Sequence, residues 1–381
     1  MDLRYPPSAE AFRRELRAWL DANLPSELPA QTEQLSRGSD ALERLRAWNR
    51  TLADAGYAAL SWPEEYGGRG ADLVDQIVFN EEMDRAGAPG PVNIIGMPNI
   101  APAIMQWGTE EQRTRFLPRM LRGDDIWCQG MSEPSAGSDL ASLQCRAVAD
   151  GETFVVNGQK TWNTLGHIAD WCQLYVRTDT SAAKHKGISC LLVDMSLPGI
   201  EVRPLVTITG DPGFSELFFT DVRLPASALL GPLHEGWKVA TTTLAHERAG
   251  VAKLHLSLRR GARELIETAR ANGTADDPVI RQKLARVYLE AEYLKLLADR
   301  AISGQLHGRA LGPEGSVTKL VWSDVSNHLA EAWSEVLGPD GWSGSRAQQR
   351  VSVRSVSIAG GTTQVNKNIV AQRVLGMPRG L

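Results

Sequence analysis

The 381-residue sequence predicts an α+β chain of three successive parts: a helical N-terminal domain over residues 1–122, a β-rich domain over 123–233 and a helical bundle over 234–381. Three observations predict it. Apolar residues recur every three to four positions on both flanks, as on one face of a helix. Between the flanks lie short β-rich runs punctuated by turn residues. The texture changes near Gly123 and again at Gly236, where glycine interrupts the pattern.

The first part reads as helices separated by Pro/Gly punctuation. Phe12, Leu16 and Trp19 share one helical face, and "SELPAQTEQLSRGSD" is a polar loop. "LVDQIVFNEEMDRAG" and "TEEQRTRFLPRML" continue the helical rhythm, the latter opening with a Thr-x-x-Gln capping box at Thr109 and Gln112. In the middle, "ETFVVNGQKTWNT" places Asn157-Gly158 between two strand-like runs, the strongest short hairpin signal. "WCQLYVRTD", "ISCLLVDM", "GIEVRPLV" and "SELFFTDVRLP" follow at turn-separated intervals, predicting a compact sheet or barrel. From Gly236 the chain predicts long helices over about 237–270, 280–303 and 314–337, whose shared apolar rhythm argues for antiparallel bundle packing.

Bulk chemistry narrows the function. With 43% hydrophobic and 23% charged residues the composition is that of a soluble globular enzyme. A net charge of −4 leaves no basic footprint for nucleic acid. No apolar run approaches the ~20 residues of a membrane span, and "MDLRYPPSAEAF" lacks both a signal-peptide core and a transit pattern, so a cytoplasmic home is expected. Cys128, Cys145, Cys172 and Cys190 have neither disulfide-framework nor zinc spacing and read as buried reduced thiols. No HExxH occurs among the seven histidines, and no metal site is expected.

Three stretches concentrate chemical signal. One face of the helix beginning near 237 reads Trp237, Ala240, Leu244, Glu247, Val251, Leu254, Leu258: six apolar positions around one glutamate. A carboxylate on such a seam loses hydration, which raises its pKa toward the range of a general base. From pattern alone, a salt bridge to Arg248 or a rim position is the commoner explanation. Residues 128–143, "CQGMSEPSAGSDLASL", crowd hydroxyls and glycine around a proline and offer donors to an anionic or heteroaromatic ligand; taken alone, a surface turn is the commoner explanation. Finally "SIAGGTTQVNKNIV" (357–370) is either a helix stop followed by an N-cap or a turn whose N–H groups point at a ligand.

Taken together and in order, these pieces resemble the acyl-CoA dehydrogenase family over nearly the whole chain. "SWPEEYGG" (61–68), "SEPSAGSD" (132–139), "NGQKTWNT" (157–164), "EGWKVATTTLAHER" (235–248) and "GGTTQVNKNIVAQRVLG" (360–376) are each similar to a family motif, and five in sequence make a specific signature. The resemblance implies an N-terminal helical domain, a middle β-barrel and a C-terminal four-helix bundle, with FAD as cofactor. It implies that Met131 and Ser132 bond the isoalloxazine edge, that Trp162 and Thr164 pack and bond opposite, and that Ser138 touches flavin phosphates or acyl-CoA. Thr362 and Gln364 would touch the cofactor, while Arg248 and Gly361 would border the acyl-CoA. Many members carry the catalytic glutamate as Glu-Gly-Thr in the closing motif, where this chain has Ala359-Gly360-Gly361-Thr362. A subset places it before the arginine of the first bundle helix, which is Glu247 here. The backbone N–H at Gly360 would then hold the thioester carbonyl, and a wide pocket for a bulky acyl group is expected.

The resemblance also has gaps. The family's Arg-x-x-Phe-Gly, which reaches a neighbouring subunit's flavin, is matched only by Arg270-Ala-Asn-Gly, and Glu335 and Pro339 flank Gly338 where Gln and Gly are common. These departures suit either a homotetramer or a heterotetramer with a second dehydrogenase-like subunit. Electron transfer flavoprotein is the acceptor the resemblance implies. A non-catalytic partner subunit and a flavin monooxygenase or oxidase on the same fold are the competing functions.

Overall fold

The computed structural model describes residues 5–29, 35–249, 253–307 and 312–378, with backbone only for residues 247–249 and 306. The chain separates into two compact units, Met1–His246 and Glu247–Leu381.

In the first unit, α1 (Pro7–Asn23), α2 (Asp40–Asp54), α3 (Leu73–Ala86), α4 (Ala101–Trp107) and α5 (Glu110–Arg122) come first. Their ends follow local chemistry. Ser39 caps α2 by accepting from Leu42 N at 3.2 Å. Thr109 and Gln112 form the expected capping box on α5, with reciprocal bonds of 3.2 and 3.1 Å, and Gly123 stops α5 at a left-handed φ of 72°. Leu16 and Leu20 of α1 and Trp48 and Leu52 of α2 are buried in one apolar core with Trp127, Tyr175 and Cys190 of the following strands.

Those strands are β1 (Trp127–Gly130), β2 (Arg146–Asp150), β3 (Thr153–Thr164), β4 (Trp171–Arg177), β5 (Ile188–Asp194), β6 (Ile200–Leu205), β7 (Phe214–Pro225) and β8 (Leu229–Leu230). They form one mixed sheet in the order β6-β7-β3-β2-β4-β5-β8, with β1 parallel to β4. A second apolar core packs on it, including Phe154, Val156, Leu174, Val193 and Leu217. All four cysteines are buried free thiols.

The hairpin expected at Asn157-Gly158 is elsewhere. Strands β2 and β3 turn at Gly151-Glu152, with Asp150 opposite Thr153 and Gly151 at φ 60°, glycine being favoured at the first centre of such a two-residue turn. Asn157-Gly158 lies within β3, at a register shift against β7. A Cβ at Gly158 would stand 2.7 Å from the Cys145 Cα. The glycine therefore serves close strand approach, and tertiary packing overrides its turn preference.

The segment expected as one helix over 237–270 consists of α6 (Gly236–Ala249) and α7 (Leu254–Ala271), with residues 250–252 outside the described set. The first turns of α6 pack within the first unit. Val239 and Ala240 join its core, and buried Thr243 meets the Tyr175 hydroxyl at 3.2 Å. In the second unit α7, α8 (Pro278–Leu306) and α9 (Gly315–Leu337) share a core of Leu258, Leu265, Leu294, Leu329 and Trp333. Gly261 permits the close α7–α9 approach, since a Cβ there would stand 2.9 Å from Leu329 Cδ2. The short α10 (Gly344–Ser352) and α11 (Thr363–Ile369) complete the unit. Among the described residues no helix is long and apolar enough to cross a membrane.

Candidate active site

The 131–139 loop leaves the end of β1 and is held from beneath by two buried charges. Lys160 on β3 is fully buried, and its Nζ lies 2.8 Å from Glu133 Oε1 and 3.0 Å from the Met131 carbonyl. The Glu133 carboxylate also accepts from Gln144 N at 2.7 Å and Cys145 N at 2.8 Å. Thr161 N holds the Ser132 carbonyl at 2.9 Å. With both carbonyls turned toward β3, the Met131 and Ser132 N–H groups have no acceptor among the described residues. Neither Glu133 nor Lys160 stood out in the sequence. The available signal was that Lys160 continues the inward alternation of Phe154 and Val156 (buried in β3), so a buried charge there demanded a partner.

Trp162 lies in a bulge of β3, where the register against β7 shifts between Lys160 and Asn163. Its φ is 62°, the residue is 57% exposed, and its ring meets Phe214 edge-on at 5.7 Å. A large side chain in left-handed backbone with its face uncovered is local strain of the kind that collects at functional positions. Thr164, half-buried, ends the strand opposite Phe214. Nearby, buried Gln129 Nε2 and Asn163 Oδ1 have no hydrogen-bond partner among the described residues. Free backbone donors, an uncovered indole and orphaned amide atoms fit a flat heteroaromatic group bearing both donors and acceptors. Ser138 is exposed at the far end of the loop, beside the ion pair of Asp139 with Lys184.

Glu247 and Arg248 lie in the last turn of α6, and their side chains are outside the described residues. The buried positions of α6 are Gly236, Val239, Ala240 and Thr243, a stride that reaches position 247 after one further turn.

In the second unit, the expected residues form two groups. Gly360 and Gly361 have φ values of 64° and 92° and N–H groups with no acceptor among the described residues. Thr362 N-caps α11 through its hydroxyl, which accepts from Val365 N at 3.2 Å. Gln364, exposed, lines an open groove of about 500 Å³ with Thr363, Ile358 and the α9 residues Asp324 and His328. Arg270 and Gly338 belong together at the other end of the bundle, because Asn272 Nδ2 ties the end of α7 to the Val336 carbonyl at 2.9 Å. At 1.5 Å per residue, Ser323 and Val336 on α9 are roughly 20 Å apart. Glu335 there is neutralised by an ion pair with Lys283.

The chain as a whole matches a known enzyme class. Domain models for the acyl-CoA dehydrogenase N-terminal, middle and C-terminal domains match residues 6–124, 128–222 and 234–375. The acyl-CoA dehydrogenase IpdE1 of Mycobacterium tuberculosis is 40% identical, covering 97% of this chain and 98% of that one. The solved Tcur3481-Tcur3483 steroid ACAD superposes with a TM-score of 0.88 at 33% identity over the full length of both chains. The ChsE4-ChsE5 complex from Mycobacterium tuberculosis gives 0.82 at 33% identity, again over both full chains. The chain belongs to the acyl-CoA dehydrogenase family and is an oxidoreductase; members of this family are flavoproteins.

Proposed function

We propose that this enzyme removes the α- and β-hydrogens of an acyl-CoA thioester whose acyl group is bulky: branched, alicyclic or steroid-derived. The observation that carries the reading is the Gly360–Gly361 turn. It offers two N–H groups in left-handed backbone without an acceptor among the described residues, with Ala359 and two glycines where many relatives have a carboxylate. Such donors acidify the α-proton by stabilising the enolate-like charge on a bound thioester carbonyl. The base must then come from elsewhere, and Glu247, one turn beyond the buried face of α6, is the residue we assign to take the α-proton.

FAD, when bound, supplies the acceptor for the hydride that leaves the β-carbon. Met131 and Ser132 would hold its edge through their free N–H groups, with Trp162 and Thr164 against the ring. Thr362, Gln364 and Ser138 would reach other parts of the cofactor. Ser138, Arg248 and Gly361 would border the thioester. Arg270 and Gly338 would serve a neighbouring subunit's cofactor. The small side chains at 359–361 leave room for a wide acyl group, and the steroid ACAD named above is consistent with one.

A heteromeric assembly is the favoured form. Pro339 and the Lys283-bound Glu335 alter the segment around Gly338, and the Tcur3481-Tcur3483 and ChsE4-ChsE5 structures are two-component complexes by name. Electron transfer flavoprotein is the acceptor we assign. The four buried free thiols suit a reducing, cytoplasmic setting.

The test is anaerobic addition of an acyl-CoA panel to the purified protein, alone and with a second dehydrogenase-like subunit, while flavin absorbance is followed. Bulky thioesters are expected to bleach it fastest. Glu247→Gln should slow bleaching by about 10²–10⁴-fold, the usual contribution of a positioned base. An unchanged rate in that variant, or preference for straight short chains over every branched or ring-bearing one, overturns the assignment.

A further inference from the structure

Among the described residues of the second unit, a buried charge stands outside the proposed chemistry. Lys319 on α9 is 5% exposed, and its Nζ lies 2.6 Å from the Val356 carbonyl and 3.2 Å from Ser323 Oγ. No carboxylate pairs with it among the described residues, and its burial lowers its pKa. The desolvated ammonium faces a carbonyl, a hydroxyl and, at 5.9 Å, the Trp322 ring, with no carboxylate among the described residues to offset its burial, so fold stability alone is a weak account of the residue.

Its neighbours give it a context. Lys319, Ser323, Asn327 and Glu331 stand at four-residue intervals on one face of α9, and all engage the segment 353–358. Ser323 Oγ approaches the Val356 carbonyl at 3.0 Å, while Arg354 bonds Asn327 and Glu331 at 2.8 Å each. That segment is itself wound tight, since the Ile358 and Ala359 N–H groups both donate to the Ser355 carbonyl at 2.9 Å. It runs directly into Gly360. Beyond the turn, Asn366 Nδ2 holds the Gly361 carbonyl at 2.8 Å.

We propose that Lys319 is a positioning residue: by fixing the Val356 carbonyl it sets where the Gly360 and Gly361 N–H groups stand for the thioester carbonyl. The proposal rests on the dehydrogenase reading above for the identity of the ligand. It predicts an unusual pairing of effects, because replacing an unpaired buried charge by an apolar chain relieves desolvation while Ser323 continues to satisfy Val356.

The experiment compares wild-type and Lys319→Met holoenzyme, each with any partner subunit it requires. Bound enoyl-CoA carrying ¹³C at the thioester carbonyl is read by infrared difference spectroscopy, alongside kcat, KM and Tm. Expected for Lys319→Met are loss of at least about half the carbonyl downshift, a roughly tenfold fall in kcat with little change in KM, and an unchanged or raised Tm. A wild-type downshift and kcat overturn the proposal, as does a loss that appears only with a lowered Tm and raised KM. If Lys319→Met does not fold, Ser323→Ala decides: a smaller loss of the same downshift supports the role, and a wild-type spectrum overturns it. The infrared shift needs binding alone, so it tests Lys319 even if no acyl-CoA bleaches the flavin and the dehydrogenase reading fails.

Discussion

Replacing Lys160 by methionine should loosen the 131–133 segment more than any other single change near it. The side chain is fully buried and its partner Glu133 is 5% exposed. At 2.8 Å and an effective dielectric near 20, the pair attracts by about 6 kcal/mol, against which stands the desolvation of both ions. Lys160→Met removes the attraction and leaves Glu133 buried. The two N–H donors from Gln144 and Cys145 remain and soften the loss, each bond to a charged acceptor contributing about 1.5–3 kcal/mol. The net cost should be about 3 kcal/mol, the lower end for a broken buried pair. Urea unfolding of the cofactor-free protein measures that cost. Flavin titration measures a second effect, a Kd for FAD raised about tenfold or more, since the Met131 carbonyl loses its anchor. The double variant Lys160→Met/Glu133→Gln should recover part of the stability, because no buried charge is then unpaired, while FAD stays weakly bound. Lys160→Met within about 0.5 kcal/mol of wild type and fully loaded with flavin would refute the reasoning.

Two further outcomes follow from the described geometry. Burial alone would raise the Glu82 carboxyl, but bonds from Arg17, Arg85 and Arg13 outweigh it and hold the group at about 2 instead of 4.5; this depressed value contributes roughly 3 kcal/mol that is complete above pH ~4.5 and lost as pH falls toward 2. Urea midpoints at pH 6 and pH 3 should therefore differ more in wild type than in Glu82→Gln, and equal slopes would count against the cluster. Gly361→Ala forces a side chain to φ 92° with its Cβ 3.1 Å from Asn366 Nδ2, a local strain of about 1–3 kcal/mol; acyl-CoA turnover should fall, whereas Gly315→Ala, with open space and ordinary backbone, should leave it unchanged.

What could be read along the chain was whatever local chemistry decides. The Thr109–Gln112 box, the Gly123 stop and the buried thiols need only their immediate surroundings or ordinary apolar preference. The misplaced hairpin shows the limit. Asn157-Gly158 carries a strong turn signal, but the need to pass Cys145 at close range keeps that glycine inside a strand, while Gly151 makes the turn.

The buried charges were illegible for a different reason. Lys160 meets a carboxylate 27 residues earlier, and Lys319, beyond its helical neighbour Ser323, a carbonyl 37 residues later, so the distant contact that defines each lies outside a local sequence window. The Gly-Gly-Thr-Thr stretch, by contrast, was legible as two alternatives that use different atoms, so the observed cap leaves the ligand-facing turn open. The Thr362 hydroxyl caps α11 by accepting from Val365 N, while the N–H groups of Gly360 and Gly361 have no acceptor among the described residues. A cap consumes a side-chain oxygen and fixes the direction of the helix that follows. Left-handed glycines consume nothing, and their backbone conformation sets where the two free donors point. The cap therefore anchors one side of the turn and the Val356 latch the other, so a segment with no acidic side chain can still present fixed donors to a carbonyl.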